Sequence, residues 1–361
     1  MVSEKKISEI RKRIDDVDKK LIRLISERAS LATDIADIKN KSKGPTKYYR
    51  PEREAQILRQ VIKANKGPLS DKAIAVLFRE LISACLALEQ QLKVAYLGPE
   101  GTFTHSATIK HFGHAVEVVP LISIDQVFHD AQSGNSDYGV VPVENSIEGI
   151  VNHTLDMLMD SDLKISGEVE LRINQYLMGR TKVKKNIKKI YSHQQSFAQC
   201  RRWLEANMPG IEQIPVNSNA EAARLANKDN KSAAIAGKAN ADLYKLKIID
   251  RNVEDEPDNS TRFLIISPDE VPKSGDDKTS LLFSMPSKPG ALLNMLKCFA
   301  DSKVNMTRIE SRPSRKGLWE YIFFVDLDGH IQDARVARSI SRLQEEASMV
   351  KVLGSYPRAV L

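Results

Sequence analysis

The feature that most constrains the fold is a long apolar series in the first forty residues. Apolar side chains recur there in steps of three and four, as on one face of an amphipathic helix. Such a helix, some thirty residues and about 45 to 50 Å long, exceeds the width of a small domain. The pattern therefore predicts an intertwined helical dimer, in which a second copy covers the apolar face. The apolar positions are Ile7, Ile10, Ile14, Val17, Leu21, Leu24, Leu31, Ile35 and Ile38.

Basic side chains interrupt this apolar face. The series skips the position of Arg28, and a buried guanidinium needs an anionic partner. Lys39, eleven residues later, lies within roughly 20° of the same face, so the two cations can hold one ligand. Arg11 falls about 100° away around the helix, so a second copy of the helix would supply it to that ligand. An interhelical ion pair is the alternative explanation for Arg28.

Two further helices are predicted before residue 92. Pro51 is a favourable first-turn residue and places Glu52 near the start of the second helix. In the third helix Cys85 and Glu89 lie one turn apart on the apolar face. A carboxyl group at such a position favours its neutral form and can then donate a hydrogen bond.

The first 92 residues resemble the all-helical chorismate mutases that form intertwined dimers. The resemblance rests on the segments IRKRIDDVD, SERASLA, IKNK, YYRPERE and LFRELISACLALEQ. It implies a pericyclic rearrangement of a bound dicarboxylate without covalent catalysis. It also implies that Glu89, where the family often has Gln, must be protonated to donate to the ether oxygen, so that mutase activity falls as pH rises. The implied catalytic and substrate-binding residues are Arg28, Lys39, Glu52 and Glu89, Arg11 of the second copy, and Tyr48, Arg50 and Cys85.

Four polar loops follow or precede predicted strands between residues 93 and 270. They are GPEGTFTHSA, YGVVPVENSIEGIVNHTLD, IYSHQQSFAQCRRWL and EDEPDNSTRFLII. Each alone more often caps a turn than catalyses a reaction. Together they predict an α/β region with a cleft to which separate segments contribute. The candidate residues are Glu144, Asn145, Ser192, Gln195, Gln199, Thr261 and Arg262.

The order of the GPEGTF, VPVENS, SHxQ and NSTRF segments resembles prephenate dehydratase. The implied fold is two α/β lobes around a hinge, similar to periplasmic ligand-binding proteins. The reaction removes carbon dioxide and a ring hydroxyl, so the site needs donors for two carboxylates and for the departing oxygen. The resemblance implies that Thr261 hydrogen-bonds or protonates the leaving hydroxyl, helped by Glu144. The implied substrate-orienting residues are Asn145, Ser192, Gln195, Gln199 and Arg262.

The last segment, residues 277–357, has strand and helix signals in the order βαββαβ. That order predicts a ferredoxin-like fold and by itself indicates no function. The PGALL and ESRP segments resemble the ACT domain attached to dehydratases, which implies feedback inhibition by phenylalanine. A simple dimerisation module is the alternative. The implied phenylalanine-binding residues are Gly290, Ala291, Leu292, Leu293, Glu310, Ser311, Arg312 and Pro313.

Composition excludes several other classes of protein. The net charge of +7 comes entirely from residues 1–92. The basic side chains there that matter lie on the apolar face of the helices and not on an exposed surface, which argues against a nucleic-acid-binding arm. A charged start and the lack of eighteen consecutive apolar residues predict a cytoplasmic protein without membrane contact. Cysteines 85, 200 and 298 have no disulfide or zinc spacing, and no metal or organic cofactor is predicted.

The chain of 361 residues is thus predicted to be multidomain. An all-α dimer domain at 1–92 precedes a two-lobed α/β domain at 93–270 and an α+β ferredoxin-like domain at 277–357. The predicted small-molecule partners are chorismate, prephenate and phenylalanine, and the predicted assembly is a homodimer or higher homo-oligomer. A non-catalytic amino-acid-responsive regulator is the alternative function, because two-lobed binding folds and ACT modules also occur in regulators.

Overall fold

The structure is a computed structural model that describes residues 2–41, 47–285, 288–313 and 321–361. Its N-terminal part is entirely helical, as predicted. The helices are α1 (Val2–Lys41), α2 (Pro51–Ala64) and α3 (Asp71–Glu89). Pro51 begins α2, and the Ser70 side chain caps α3 by accepting a hydrogen bond from Ala73 N (3.2 Å).

The two halves of α1 differ in how much of their surface the same chain covers. Ala32 and Ala36 are buried where the second half packs on α3. Every residue from 4 to 27 is exposed, including apolar positions such as Ile10 (54%) and Leu24 (53%). The apolar face identified in the sequence is therefore uncovered over most of its length in a single chain.

The middle of the chain forms two α/β lobes. The first contains α4 (Phe103–Phe112), α5 (Ile124–Gln132) and α6 (Asn152–Asp160) with strands β1 (Lys93–Leu97), β2 (Glu117–Leu121), β3 (Tyr138–Asn145), β4 (Gly149–Ile150), β5 (Lys164–Arg172) and, last along the chain, Ser260–Ser267. The second contains α7 (Gln194–Gln199), α8 (Arg201–Asn207), α9 (Asn219–Ala226) and α10 (Ala239–Leu243) with strands β6 (Tyr176–Gly179), β7 (Lys189–His193), β8 (Glu212–Val216), β9 (Ser232–Ala236) and β10 (Lys247–Arg251).

Strand order explains why the two lobes enclose a cleft. The first sheet has the order β2-β1-β3-β11-β5, where β11 is Ser260–Ser267, and the second has the order β10-β6-β9-β7-β8. The chain crosses between lobes after β5 and returns before β11, so two connections join them. β11 lies between β3 and β5 and begins where the chain returns from the second lobe, so its first residues lie at the boundary between the lobes.

The C-terminal part confirms the predicted βαββαβ order. It consists of β12 (Asp277–Ser284), α11 (Ala291–Asp301), β13 (Met306–Pro313), β14 (Tyr321–Asp328), α12 (Ala334–Glu346) and β15 (Met349–Pro357). In the antiparallel sheet β13-β14-β12-β15, the inner strands β14 and β12 are buried on both faces, whereas residues of the edge strand β13 alternate between half-buried and exposed. Leu281 and Phe283 face the helices, whereas Leu282 and Phe324 pack with the first lobe, because successive strand residues point to opposite faces. In the described part of the chain, no helix combines the length and apolarity needed to cross a bilayer.

Candidate functional sites

A cleft of ≈ 400 Å³ opens between the two lobes. Its walls are strand ends and helix starts, the usual location of ligand sites in α/β folds. The first lobe contributes the start of α4, the β3–β4 turn and the start of β11, and the second contributes α7 and the start of α9. The polar lining residues are Thr102, Thr104, Asn145, Glu148, Gln175, His193, Gln195, Ser196, Gln199, Asn217, Ser218, Asn219 and Thr261.

Thr261 and Asn145 face each other on the paired strands β11 and β3. Asn145 Nδ2 donates to Thr261 Oγ1 (2.8 Å) and to Asn259 Oδ1 (2.7 Å). Asn145 Oδ1 accepts from the N–H groups of Ile147 and Glu148, each at 3.0 Å. The Asn145 carboxamide is therefore fixed by the backbone. Because the Thr261 oxygen accepts from this amide, its own proton can be donated to a bound ligand.

A network of side-chain amides joins the two lobes across the cleft. Gln199 Nε2 donates to Glu148 Oε1 (2.7 Å), and these two residues belong to different lobes. Gln175 Nε2 donates to Gln199 Oε1 (3.2 Å) and to Ser196 Oγ (3.1 Å). Asn219 Nδ2 donates to the same Ser196 oxygen (2.8 Å). The predicted residues Gln195 and Gln199 thus lie in one cleft with Asn145 and Thr261.

Arg262 and Glu144 lie outside this cleft, which corrects their predicted placement. Each is adjacent to a cleft residue on a strand, so its side chain points to the opposite face of the sheet. Arg262 donates to Glu168 Oε2 (2.9 Å), Asp326 Oδ2 (2.5 Å) and the Tyr356 hydroxyl (2.9 Å). Glu144 forms an ion pair with Arg308 Nε of β13 (3.0 Å). Both therefore connect the first lobe to the C-terminal sheet.

The charges around Arg262 stabilise one another. Burial by itself lowers the pKa of Arg262, but the neighbouring Tyr356, Asp326 and Glu168 raise it overall. Burial is the largest single effect on Asp326 and raises its pKa, but Arg262, the Ser280 hydroxyl and Arg308 together outweigh burial, so the pKa of Asp326 is lowered. Lys278 completes the cluster at 2.9 Å from Glu168. All members are nearly buried, so this is an ionic cluster at a domain boundary and not a substrate contact.

Ser192 also differs from its predicted role. Its side chain is fully buried and donates to Ile235 O (2.8 Å), next to Asn219 Oδ1 (3.1 Å). Asn219 Oδ1 accepts as well from His193 N (3.0 Å). Ser192 therefore holds Asn219, and Asn219 is the residue that lines the cleft.

The cleft is poor in charged side chains. Neither Lys nor Arg occurs among the described residues that line it, and Glu148 is its one carboxylate. The starts of α4 and α9 do line it, at Thr102–Thr104 and at Ser218–Asn219. The first N–H groups of a helix lack intrahelical partners and favour anions.

A second cluster lies where α1, α3 and the segment before α2 meet. Lys39 Nζ contacts Glu89 Oε2 (3.1 Å) and Tyr48 O (3.5 Å). Arg28 Nη1 donates to Leu81 O (3.3 Å) on the adjacent helix. The structure thus directs Arg28 and Lys39 towards α3, and places Glu89 and Tyr48 at Lys39.

The remaining residues of that cluster are arranged around α2 and along α1. Arg50 pairs with the buried Glu52 (2.7 Å), and Cys85 is a buried thiol on α3. Arg11 lies in the exposed half of α1, seventeen residues and about 25 Å along the helix from Arg28. Arg11 of the same chain therefore cannot reach the ligand that Arg28 and Lys39 would hold.

The C-terminal segments lie at the start of α11 and on β13. Gly290 adopts φ +77°, a left-handed conformation that glycine tolerates, and Ala291 begins the helix. Ala291 is buried, Leu292 half-buried and Leu293 exposed. On β13, Glu310 is half-buried, and Ser311 and Pro313 are exposed. Arg312 pairs with Asp156 of α6 (2.9 Å), so this side chain contacts the first lobe, and its role in binding phenylalanine stays a prediction.

Comparison with known proteins identifies the three parts of the chain. Family profiles match "Chorismate mutase type II" at residues 10–90, "Prephenate dehydratase" at 94–271 and "ACT domain" at 279–345. A bifunctional chorismate mutase/prephenate dehydratase of Pseudomonas aeruginosa is 52% identical over the full length of both chains. The chain belongs to this bifunctional family. A relative of the same name from Aquifex aeolicus is 45% identical and covers 98% of this chain and 99% of its own.

A solved structure is similar to about three quarters of this family member. It is a prephenate dehydratase from Arthrobacter aurescens in complex with L-Phe, 34% identical, with a TM-score of 0.68. The match covers 74% of this chain and 90% of that one. The resemblance and the multidomain fold class stated from the sequence are therefore confirmed.

Sequence reasoning missed several cleft residues of this bifunctional family member. Gln175 lies in a turn without a strong motif, and Glu148 was passed over in favour of Glu144. Asn219 had a usable signal, because Ser218 and Glu221 have the spacing of a capping box after a short apolar strand. In the structure Ser218 Oγ indeed accepts from Glu221 N (3.1 Å).

Proposed function

We propose that this chain rearranges chorismate to prephenate in its helical domain and converts prephenate to phenylpyruvate in the interlobe cleft. The two reactions are consecutive steps of phenylalanine biosynthesis, and phenylalanine bound to the ACT domain inhibits the chain. The observation that carries the proposal is the Asn145–Thr261 pair at the cleft, in a chain 52% identical over its full length to a bifunctional enzyme. The same comparison favours an enzyme over a non-catalytic regulator.

In the dehydration, Thr261 donates a hydrogen bond to the departing ring hydroxyl while the bond between the ring and its carboxylate carbon breaks. Loss of carbon dioxide leaves its electron pair to the ring, and the hydroxyl leaves as water after taking up a proton. A threonine hydroxyl is a weak acid, so Thr261 acts as a positioned donor or relay. We assign the helping carboxyl to Glu148, because it lines the cleft and Glu144 does not.

The two carboxylates of prephenate bind at the starts of α4 and α9. Backbone N–H groups there replace the cation that Arg262 was expected to supply. The amide side chains of Gln195, Gln199 and Asn219 supply further donors from the second lobe. This arrangement binds a dianion without an arginine clamp.

In the rearrangement, Arg28 and Lys39 hold the carboxylates and the ether oxygen of chorismate, and Glu52 holds its hydroxyl. Glu89 donates to the ether oxygen when it is protonated and released from its contact with Lys39 Nζ (3.1 Å). Arg11 completes the site from a second copy of the chain, because the distance along α1 excludes Arg11 of the same chain. The exposed apolar face of residues 4–27 supports this homodimer, since two such faces would cover each other.

The ACT domain binds phenylalanine at the start of α11 and along β13. The relative from Arthrobacter aurescens was solved in complex with L-Phe, which supports the same ligand here. Gly290 to Leu293 supply the helix start, and Glu310, Ser311 and Pro313 supply the strand. Arg312 contributes through its contact with the first lobe.

The cytoplasmic location stays a prediction.

A coupled assay of the full-length protein with chorismate tests the proposal. Chorismate loss and phenylpyruvate formation are followed separately, with and without phenylalanine. We expect both, with the second suppressed by phenylalanine. Thr261→Ala should lower phenylpyruvate formation by about 10² or more and leave chorismate loss unchanged. Chorismate loss without phenylpyruvate in the wild type would contradict the dehydratase assignment.

A further inference from the structure

Tyr49 belongs to the helical domain by sequence but to the first α/β lobe by packing. Its side chain is 6% exposed and lies in the same apolar core as Val94 and Phe263. Its ring lies 5.4 Å from that of Phe112 and 5.3 Å, edge to face, from that of Tyr138. A residue of the segment before α2 is thus anchored inside the neighbouring domain.

Polar groups surround the packed ring of Tyr49. The Tyr49 hydroxyl and His111 Nε2 are 3.2 Å apart. Arg79 of α3 donates to His111 O at the end of α4 and pairs with the buried Glu54 of α2. Burial raises the pKa of Tyr49, and burial together with Arg79 keeps the pKa of His111 well below its usual value. The anchor is therefore a neutral pair next to a buried ion pair.

The residues on either side of Tyr49 belong to the proposed mutase site. The segment is extended at Arg50, so successive side chains point in opposite directions. Tyr48 turns back to α1, where its carbonyl accepts from Lys39 and its ring lies 5.0 Å below the Lys39 ammonium. Arg50 turns to Glu52 at the start of α2.

A second tether lies one residue before Tyr48. Lys47 forms an ion pair with Asp269 (2.7 Å), in the stretch between β11 and β12. A cavity of ≈ 190 Å³ between the two domains is lined by Lys47, Arg50 and Glu52 on one side and by Ser267 and Asp269 on the other. Lys47 is half-exposed, so its ion pair contributes little, whereas the ring of Tyr49 is fully packed.

We propose that Tyr49 is a positioning residue of the mutase reaction, through which the dehydratase domain sets the geometry of Tyr48, Arg50 and Glu52. The proposal rests on the mutase function proposed above. A loop without this anchor would leave Glu52 displaced from the substrate hydroxyl, and a misplacement of about 1 Å costs about 10²-fold in rate.

The test compares full-length Tyr49→Ala and Tyr49→Phe with a control, Glu80→Ala. Glu80 binds His114 across the same interface (2.9 Å), and within the described part of the chain its hydrogen bonds go to His114 and not to residues 47–50. Mutase and dehydratase kcat and KM are measured on the same preparations. We expect Tyr49→Ala to lower the mutase kcat about 10- to 100-fold. Tyr49→Phe keeps the ring, so its mutase kcat should stay within about threefold of the wild type. The dehydratase kcat of both Tyr49 variants, and the mutase kcat of Glu80→Ala, should stay within about twofold of the wild type.

Three outcomes would overturn the proposal. They are an unchanged mutase kcat in Tyr49→Ala, an equal loss in Glu80→Ala, and an equal loss in Tyr49→Phe. If Tyr49→Ala also loses dehydratase activity, Tyr49→Leu is measured in the same way, because leucine keeps apolar volume without the ring. The mutase and dehydratase limits set for Tyr49→Ala then apply to Tyr49→Leu. A wild-type protein that does not consume chorismate would instead refute the mutase function itself.

Discussion

The ionic cluster around Arg262 allows a quantitative prediction about the contact between the dehydratase and ACT domains. Arg262→Met keeps the aliphatic stem but removes the charge that faces Glu168 and Asp326. Glu168 keeps Lys278, whereas Asp326 keeps the hydrogen bond from the Ser280 hydroxyl (2.5 Å) and the more distant charge of Arg308. Asp326 is then a buried charge that has lost its direct ion-pair partner. Breaking a buried pair in this way costs about 3 to 5 kcal/mol.

The pH dependence follows from the direction of the Asp326 pKa. In the wild type this pKa is lowered, so its stabilisation is present above the unfolded value of 3.8 and is lost as pH falls below it. In Arg262→Met, Asp326 has lost its direct ion pair and favours its neutral form more than in the wild type, so the stability difference between variant and wild type should narrow as pH falls from 7 towards 4. Removing both charges in Arg262→Met/Asp326→Leu should recover about 2 kcal/mol or more of the loss.

Urea unfolding of the full-length protein at pH 7 and at pH 5 measures these differences. The midpoints and slopes of the unfolding curves are compared for the wild type, Arg262→Met, Asp326→Leu and the double variant. A loss below about 1 kcal/mol in Arg262→Met would refute the argument, because that is the range of an exposed pair. A double variant no more stable than Arg262→Met would refute it as well.

Three further predictions concern the mutase site and its interface. The mutase rate of the wild type should fall as pH rises while that of Glu89→Gln stays flat; two identical profiles would remove the assigned role of Glu89. A 1:1 mixture of refolded Arg11→Ala and Arg28→Ala chains should regain about a quarter of the wild-type mutase activity. About half of the dimers are then mixed, and each mixed dimer has one of its two sites intact. No recovery would exclude a site shared between two chains. The pKa of His111 is lowered on folding, so the unfolded chain binds a proton at His111 below pH 6.5 that the folded chain does not. The free energy of unfolding should therefore decrease as pH falls below 6.5, by at most about 1.4 kcal/mol per pH unit. Denaturant titrations of His111→Gln should lack this contribution to the pH dependence.

Local periodicity determined the elements of this protein from its sequence alone. The step of three and four predicted α1 and its apolar face, and Pro51 marked the start of α2. The alternation of strand and helix signals predicted the βαββαβ order of the last domain. These features depend on residues close in sequence, so no tertiary contact is needed to infer them. The order of the motifs was likewise sufficient to recognise the family.

Tertiary structure decided which of the polar residues in each motif face the cleft. Thr261 and Arg262 are neighbours on one strand and must point to opposite sides, but the sequence does not say which side is the cleft. That choice depends on the C-terminal sheet, which brings Asp326 and Tyr356 to Arg262 from more than sixty residues away. Tyr49 shows the same limit, because its position in a helical motif indicates nothing about the aromatic pocket of the next domain. Periodicity fixes a face of an element, whereas long-range packing decides what that face contacts.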